Sequence, residues 1–322
     1  MPKQDKCNII QSGGAAARMQ YRQLGSSGLA VSRIGCGTWA LGGRGWGAHN
    51  EREARAALEA CLESGINFFD TAPVYGFGRS EQVLGEALKP VRSRVIIATK
   101  CGLVWNDSGQ VHHDLSRACL RRGLEASLQR LKTDYIDLYQ IHWPDRRTPL
   151  EDSIDELLGF QRSGAVRHIG VCNFSAQLLQ HACGLASVVS VQQLYNLLQQ
   201  DEARDVLPLC RERSLGFIAY SPLAQGVLTG EMDAAVRPGI RDVRRRNPLY
   251  RNPERFAQAV RFAAGLPQPA AHAALRFLFE QPGVTCALIG MTRREHVAAN
   301  IAALDAMSAP EPGRFSSLED IS

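Results

Sequence analysis

The stretch NFFDTAPVYGFGRSEQVLGEAL, Asn67 to Leu88, decides how the chain is read. It opens as a short apolar strand ending on Asp70, passes through a glycine-containing turn that displays Tyr75, and closes as a helix for which Ser80 is the expected cap. A carboxylate at the end of an apolar run needs a partner, because an unpaired buried charge is strongly disfavoured or becomes neutral. A second run, RVIIATK, is rich in β-branched residues and supplies that partner in Lys100. A third, DYIDLYQIHW, carries His142 at its end, with Trp143 and Pro144 after it. Charged and polar groups collected at the C-terminal ends of successive strands point to a (β/α)8 TIM barrel.

The same alternation runs through the rest of the chain. Gln20 to Val31 reads as two short strands around a Ser-Ser-Gly turn, an N-terminal β-hairpin that would cover the bottom of the barrel. A strand from Ile34 to Thr38 follows, and then a glycine-rich loop with Trp39 and Trp46. Gly35-x-Gly37-x-x-Ala40 matches a loose dinucleotide fingerprint, but no helical period begins within it, as that fingerprint requires. Asn50 is the expected cap of the first helix, with Ala54, Ala57, Leu58 and Cys61 on its buried face, and Ser116 the cap of another. Further on, AVRHIGVCN, SVQQLY, GFIAY and TCALIG read as strands, separated by SAQLLQHAC, EARDVLPLCRE and AAHAALRFLFE as helices. From Ile34 there are about eight strands, each followed by a helix-sized segment, which is the count of an α/β barrel. The expected organisation is a leader over 1–18, one barrel over 19–310 with long loops on its C-terminal side, and a tail over 311–322.

Composition narrows the class. A chain of 322 residues suits one decorated barrel, and its formal charge of +5 is too small to suggest nucleic acid. No apolar run approaches the roughly 18 residues that a membrane span needs. Nine cysteines are scattered with no C-x-x-C pair, which suggests reduced thiols and a cytoplasmic protein. No convergent set of histidines and carboxylates appears beyond Asp70 and His142, so no metal is expected.

The motifs DTAPVYGFGRSEQVLGEAL, IIATKCG, DLYQIHWPD, IGVCNFS, YSPLAQGVLTG and IGMTRREHVAAN occur in this order, and from about Met19 to Ala306 the chain resembles the aldo-keto reductases. It looks closest to bacterial NADPH-dependent members that act broadly on small aldehydes. The resemblance implies a catalytic tetrad of Asp70, Tyr75, Lys100 and His142, an NADP(H) cofactor and a small carbonyl substrate. It also implies that Asn173 and Gln192 hold the nicotinamide carboxamide and Tyr220 stacks on its ring. Ser221, Leu223, Gln225 and Gly226 would wrap the pyrophosphate, Thr292 and Arg293 the 2′-phosphate, and Asn300 the adenine. Cys172 stands where many relatives carry serine, and His296 where they often carry arginine or glutamine. Other members of the superfamily run sugar or pyridoxal oxidation on the same tetrad, and channel β-subunits that sense the cofactor keep it too.

The residue chemistry agrees. Hydride delivery to a carbonyl leaves negative charge on oxygen, so a proton donor and a stabilising cation are needed. A tyrosine with a pKa near about 10 is a sluggish acid at neutral pH, and Lys100 is expected to lower it, with Asp70 keeping Lys100 charged. Trp39, Trp46, Trp105 and Trp143 would wall the substrate pocket. The segment from Glu231 to Arg261 carries eight arginines, read either as a solvated face or as a flap over the cofactor diphosphate.

Overall fold

Runs of β-branched and aromatic residues at eight places become the parallel strands of a closed barrel: β1 (Ile34–Gly37), β2 (Phe68–Asp70), β3 (Ile96–Cys101), β4 (Ile136–Ile141), β5 (Val166–Cys172), β6 (Val188–Leu194), β7 (Gly216–Tyr220) and β8 (Val284–Gly290). They pair in chain order, and β8 closes on β1. This is a computed structural model that describes residues 19–46 and 50–306. The expected leader and tail lie outside the described residues. Among those described, no helix is long and apolar enough to cross a membrane.

The period-two alternation of strand side chains sorts each strand into an inward and an outward face. Phe68, Ile96, Ala98, Leu138 and Ile218 point into the barrel and pack together, joined by Val189 where a register shift interrupts the alternation of β6, while Phe69, Ile97, Tyr139 and Val191 pack outward under the helices. The N-terminal hairpin, Tyr21–Gln23 paired antiparallel with Ala30–Ser32, closes the bottom of the barrel with Leu24 and Val31, both fully buried in the inner cluster. An apolar floor therefore fills the lower barrel. Polar side chains occupy the top.

The outer ring comprises α1 (Glu51–Glu63), α2 (Arg79–Leu88), α3 (Arg117–Leu131), α4 (Leu150–Arg162), α5 (Ala176–Leu185), α6 (Val206–Glu212), α7 (Pro253–Ala264), α8 (Ala270–Glu280) and α9 (Arg294–Ala306). Asn50, Ser116 and Ser175 cap α1, α3 and α5 by accepting backbone N–H groups of the first turn. Ser80 does not cap α2. The helix begins earlier, behind a left-handed Gly78, and the Ser80 hydroxyl is buried in contact with Thr38 and Thr71. α6 is shorter than EARDVLPLCRE suggests, because the Pro208 ring clashes with a helical carbonyl four residues earlier, and a 3-10 turn over Asp201–Ala203 takes the remainder. The long loop after β3 holds a small antiparallel hairpin, Leu103–Trp105 with Val111–His113. The second half of the arginine-rich segment is α7, capped by Asn252 and buried through Phe256, Ala259 and Ala263.

Candidate active site

Register places the polar residues in one layer. Asp70 ends β2 beside Gly37 and Ala98, Lys100 stands opposite Gln140, and Gln192 lies between Cys172 and Ile218. All of these point inward by the alternation that sends Phe68, Ala98 and Leu138 into the floor. Lys100 is fully enclosed, and its Nζ donates to Asp70 Oδ1 at 2.5 Å, to the Thr71 carbonyl at 2.9 Å and to the Tyr75 hydroxyl at 3.4 Å. Each ammonium hydrogen thus has an acceptor. Asp70 Oδ2 accepts from Gln140 Nε2 at 3.1 Å and Gln192 Nε2 at 2.9 Å.

Tyr75 comes from the loop after β2, and its place is set by glycines. A Cβ on Gly42 would stand 2.7 Å from the Gly76 nitrogen, and one on Gly76 would stand 2.2 Å from the Gly42 carbonyl oxygen, so the loops after β1 and β2 meet backbone to backbone. Thr38, Thr71 and Ser80 brace the same junction through their hydroxyls, and the Thr38 hydroxyl also donates to the Asp70 carbonyl. Trp39 stacks on the Tyr75 ring at 5.7 Å, and the His142 ring meets its edge at 5.8 Å.

Burial dominates the ionisation of this cluster. It pushes the Tyr75 phenol up to about 12; Lys100 pulls the other way, as expected, but burial outweighs it and the phenol holds its proton at neutral pH. Burial opposes the charge on Lys100 too, but Asp70 and then Tyr75 raise its pKa above the ordinary value, and it stays charged. Burial, then Lys100 and His113, hold His142 well below the usual imidazole range, so its ring is neutral. Burial raises the Cys172 thiol, which remains protonated.

The second group of predicted residues adjoins the first. Asn173 follows β5 in a left-handed conformation, donates to the His142 carbonyl at 2.9 Å, and accepts from the Tyr220 hydroxyl at 2.9 Å. Gln192 spends its N–H groups on Asp70 and Gln140 Oε1. Beyond β7, Ser221, Ala224, Gln225 and Gly226 take positive φ, with Leu223 between them. Such a run makes the backbone concavity that suits an anion. The Gln225 carbonyl and side chain are held by Tyr250 and Asn247. Thr292, Arg293 and Asn300 form a separate group where α9 meets α1. Arg293 is exposed and donates to Glu53 at 3.3 Å, Thr292 lies 3.5 Å from His296 Nδ1, and Asn300 is buried and donates to the His296 carbonyl at 2.7 Å.

The tryptophans divide. Trp46 packs edge-on against Trp39, beside Tyr75. Trp105 stacks instead on Phe77 at 5.0 Å, with the Arg44 guanidinium 4.5 Å from the Phe77 ring, and Trp143 is 41% exposed. Phe77, Gln140 and Thr71 are the parts of this site that sequence reading passed over. A polar residue two places before His142, on the inward register, was the available signal for Gln140. The arginine-rich segment reaches the mouth through Val243, whose N–H donates to the Gly45 carbonyl at 3.0 Å. Of its arginines, Arg244 pairs with Asp242, while Arg245, Arg246, Arg251 and Arg255 are exposed. No group of three or more histidine, cysteine or acidic side chains suited to a metal occurs among the described residues.

The model of the Aldo/keto reductase family matches residues 33–311. An aldo-keto reductase of Bacillus subtilis, YhdN, is 36% identical over 282 residues, covering 84% of this chain and 85% of that protein. The NADH-specific methylglyoxal reductase of Escherichia coli is 33% identical over 314 residues, covering 89% and 94%. Among solved structures, aldo-keto reductase AKR11C1 of Bacillus halodurans in its holo form superposes with a TM-score of 0.77 at 29% identity, covering 89% of this chain and 91% of that one.

Proposed function

Because the chain belongs to the aldo/keto reductase family, we propose that it reduces aldehydes and ketones to alcohols with NADPH, and that Tyr75 gives the proton to the carbonyl oxygen. The observation that carries this reading is the buried Lys100 ammonium held between Asp70 and the Tyr75 hydroxyl.

Bound NADPH supplies the hydride. Neutral His142 donates a hydrogen bond to the substrate oxygen and fixes its approach, and Tyr75 passes its proton to that oxygen as negative charge develops. The phenol is a poor acid at rest, because burial penalises the phenolate. Lys100 acts when charge appears on the phenolic oxygen, so its attraction is stronger in the transition state than in the ground state. Asp70 keeps Lys100 in place and charged.

The residues suit a nicotinamide nucleotide. With its N–H groups committed inside the barrel, Gln192 offers Oε1 to the amide hydrogens of a carboxamide, next to Asn173. The left-handed residues Ser221 and Ala224 to Gly226 offer backbone N–H groups to a diphosphate, and Thr292 with Arg293 precedes the N-terminus of α9, where an anion is favoured. Arg293 favours the 2′-phosphate of NADPH over the bare ribose of NADH. Asn300 would meet the adenine, and Trp39 and Trp46 would line the substrate side.

Fluorescence titration with NADPH and NADH, followed by nicotinamide absorbance after addition of a reactive aromatic aldehyde, tests the reading. Tyr75→Phe should bind NADPH as the wild type does while turnover falls by about 10²–10⁴. Unchanged turnover in that variant removes Tyr75 as the donor, and failure to bind either nucleotide removes the cofactor assignment.

A further inference from the structure

Gln140 is no member of the tetrad, yet it lies beneath its centre. It is fully buried on the inward face of β4, in register with Lys100. Its Nε2 donates at 3.1 Å to Asp70 Oδ2, the oxygen that Lys100 leaves free. Gln192 donates to the same oxygen at 2.9 Å and reaches Gln140 Oε1 at 3.4 Å, and the Cys172 thiol donates to that Oε1 at 3.7 Å. These neighbours dictate the amide's orientation. An ionised carboxylate only accepts, so nitrogen must face Asp70, and the carbonyl end then serves Gln192 and Cys172. Room for the side chain depends on Gly170, where a Cβ would stand 3.2 Å from Gln140 Cγ.

An apolar side chain of similar length would fill this volume without hydrogen bonds to satisfy. What the amide adds is direction. With Oδ2 held from below, the Asp70 carboxylate cannot turn, and Oδ1 stays aimed at an ammonium that also touches the Thr71 carbonyl and the Tyr75 hydroxyl. We propose that Gln140 is a positioning residue of the reduction: acting through Asp70, it fixes the Lys100 ammonium against Tyr75, and Cys172 and Gln192 hold its amide in the orientation that does so. This rests on the reductase reading above.

The test compares wild type, Gln140→Met and Gln140→Glu in the Kd for NADPH and in kcat and KM for an aromatic aldehyde, from about pH 5 to 9. Loss of a hydrogen bond to a charged group should lower kcat of Gln140→Met about tenfold or more, with Kd and KM within about twofold. Gln140→Glu keeps the shape and adds a titration. Protonated, the new carboxyl donates to Asp70 as the amide does; ionised, it faces Asp70 as a like charge. Its kcat should therefore rise as pH falls, over a range where wild-type kcat is flat. A side chain that only fills space leaves kcat of Gln140→Met within about twofold of wild type, and that result overturns the proposal; should Gln140→Met fail to fold, Gln140→Leu is read in the same way, and Gln140→Glu should keep its highest kcat at the acid end, where its carboxyl donates to Asp70. A wild-type protein that binds NADPH but reduces no carbonyl overturns the reductase reading itself, and is distinguishable because it precedes any substitution.

Discussion

Removing the charge of Lys100 separates what the buried pair does for stability from what it does for turnover. Lys100 and Asp70 are 1% and 2% exposed, and Nζ lies 2.5 Å from Oδ1. At that separation and an effective dielectric of about 20, their attraction is about 7 kcal/mol. Taking each ion out of water costs several kcal/mol, so the pair taken whole contributes little net stability. One ion without the other is a different matter. Lys100→Met leaves Asp70 with two amide donors and no counter-charge, and should cost about 3–5 kcal/mol, or roughly 10 °C in Tm for a chain of this size. In the double variant Asp70→Asn/Lys100→Met, the asparagine oxygen still accepts from Gln140 and Gln192, so most of the loss should return, with a coupling of at least about 2 kcal/mol. Turnover should not return, because Tyr75 still lacks the cation that stabilises its phenolate. Thermal and urea melts of wild type, Asp70→Asn, Lys100→Met and the double variant, with initial rates of NADPH oxidation, check both halves. A Lys100→Met protein that melts within about 2 °C of wild type, or a double variant that melts at the sum of the single losses, refutes the buried-charge argument. Recovery of activity in the double variant refutes the role of Lys100.

Further outcomes follow from other parts of the site. Gly42→Ala places a Cβ against the Tyr75–Gly76 backbone, so kcat should fall about tenfold to a hundredfold with NADPH affinity kept; normal turnover would show that the loop junction does not set Tyr75. Glu53 occupies Arg293 in the free protein, so Glu53→Gln should raise the preference for NADPH over NADH by about fivefold or less, and Arg293→Ala should lower it. A ratio unmoved by both would displace the 2′-phosphate from Arg293. With the Tyr75 phenol raised to about 12 from 10.0, kcat/KM should show no alkaline limb below about pH 10. The folded protein holds this proton more tightly than the unfolded chain, so the associated stability is complete below pH 10 and is lost as pH rises through 12. His142, depressed below its usual 6.5, should give kcat/KM no inflection near that pH. Its neutral form favours folding at neutral pH and is opposed as pH falls below 6.5, where the unfolded imidazole takes up a proton. An inflection near 6.5 that disappears in His142→Asn would contradict this.

The barrel was legible because strand length, β-branched content and terminal charge coincide in RVIIATK and DYIDLYQIHW, and both become strands ending near the expected residues. The places where reading failed share a cause. Ser80 has the residue type of a cap, but the cap position depends on the left-handed turn of Gly78, which tertiary packing sets. Tyr75 sits beside Lys100, yet the sign of its pKa shift turns on how completely loops from distant parts of the chain exclude water. Trp105 and Phe77 stack although they are 28 positions apart in the numbering, and no periodicity announces a pair of that kind. Gln140 was hidden by its neighbour, since a motif ending in histidine draws attention away from the inward residue two places earlier.

The two ends of the candidate site also differ in what a substitution costs. Around Asp70 the polar groups of Lys100, Gln140 and Gln192 are buried and answer to several others, so changing one of these residues leaves an unsatisfied donor, acceptor or charge. Around Arg293 the contacts are single, exposed and screened by solvent. Tolerance should follow that division. On the proposed reading, cofactor preference is therefore more open to surface changes than the buried Asp70–Lys100 layer is. If Arg293 meets the 2′-phosphate as proposed, exchanging Glu53 and Arg293 should move nucleotide preference while kcat with saturating cofactor stays within about twofold; a collapse of kcat would mean that the adenosine end and the Lys100 layer are coupled after all.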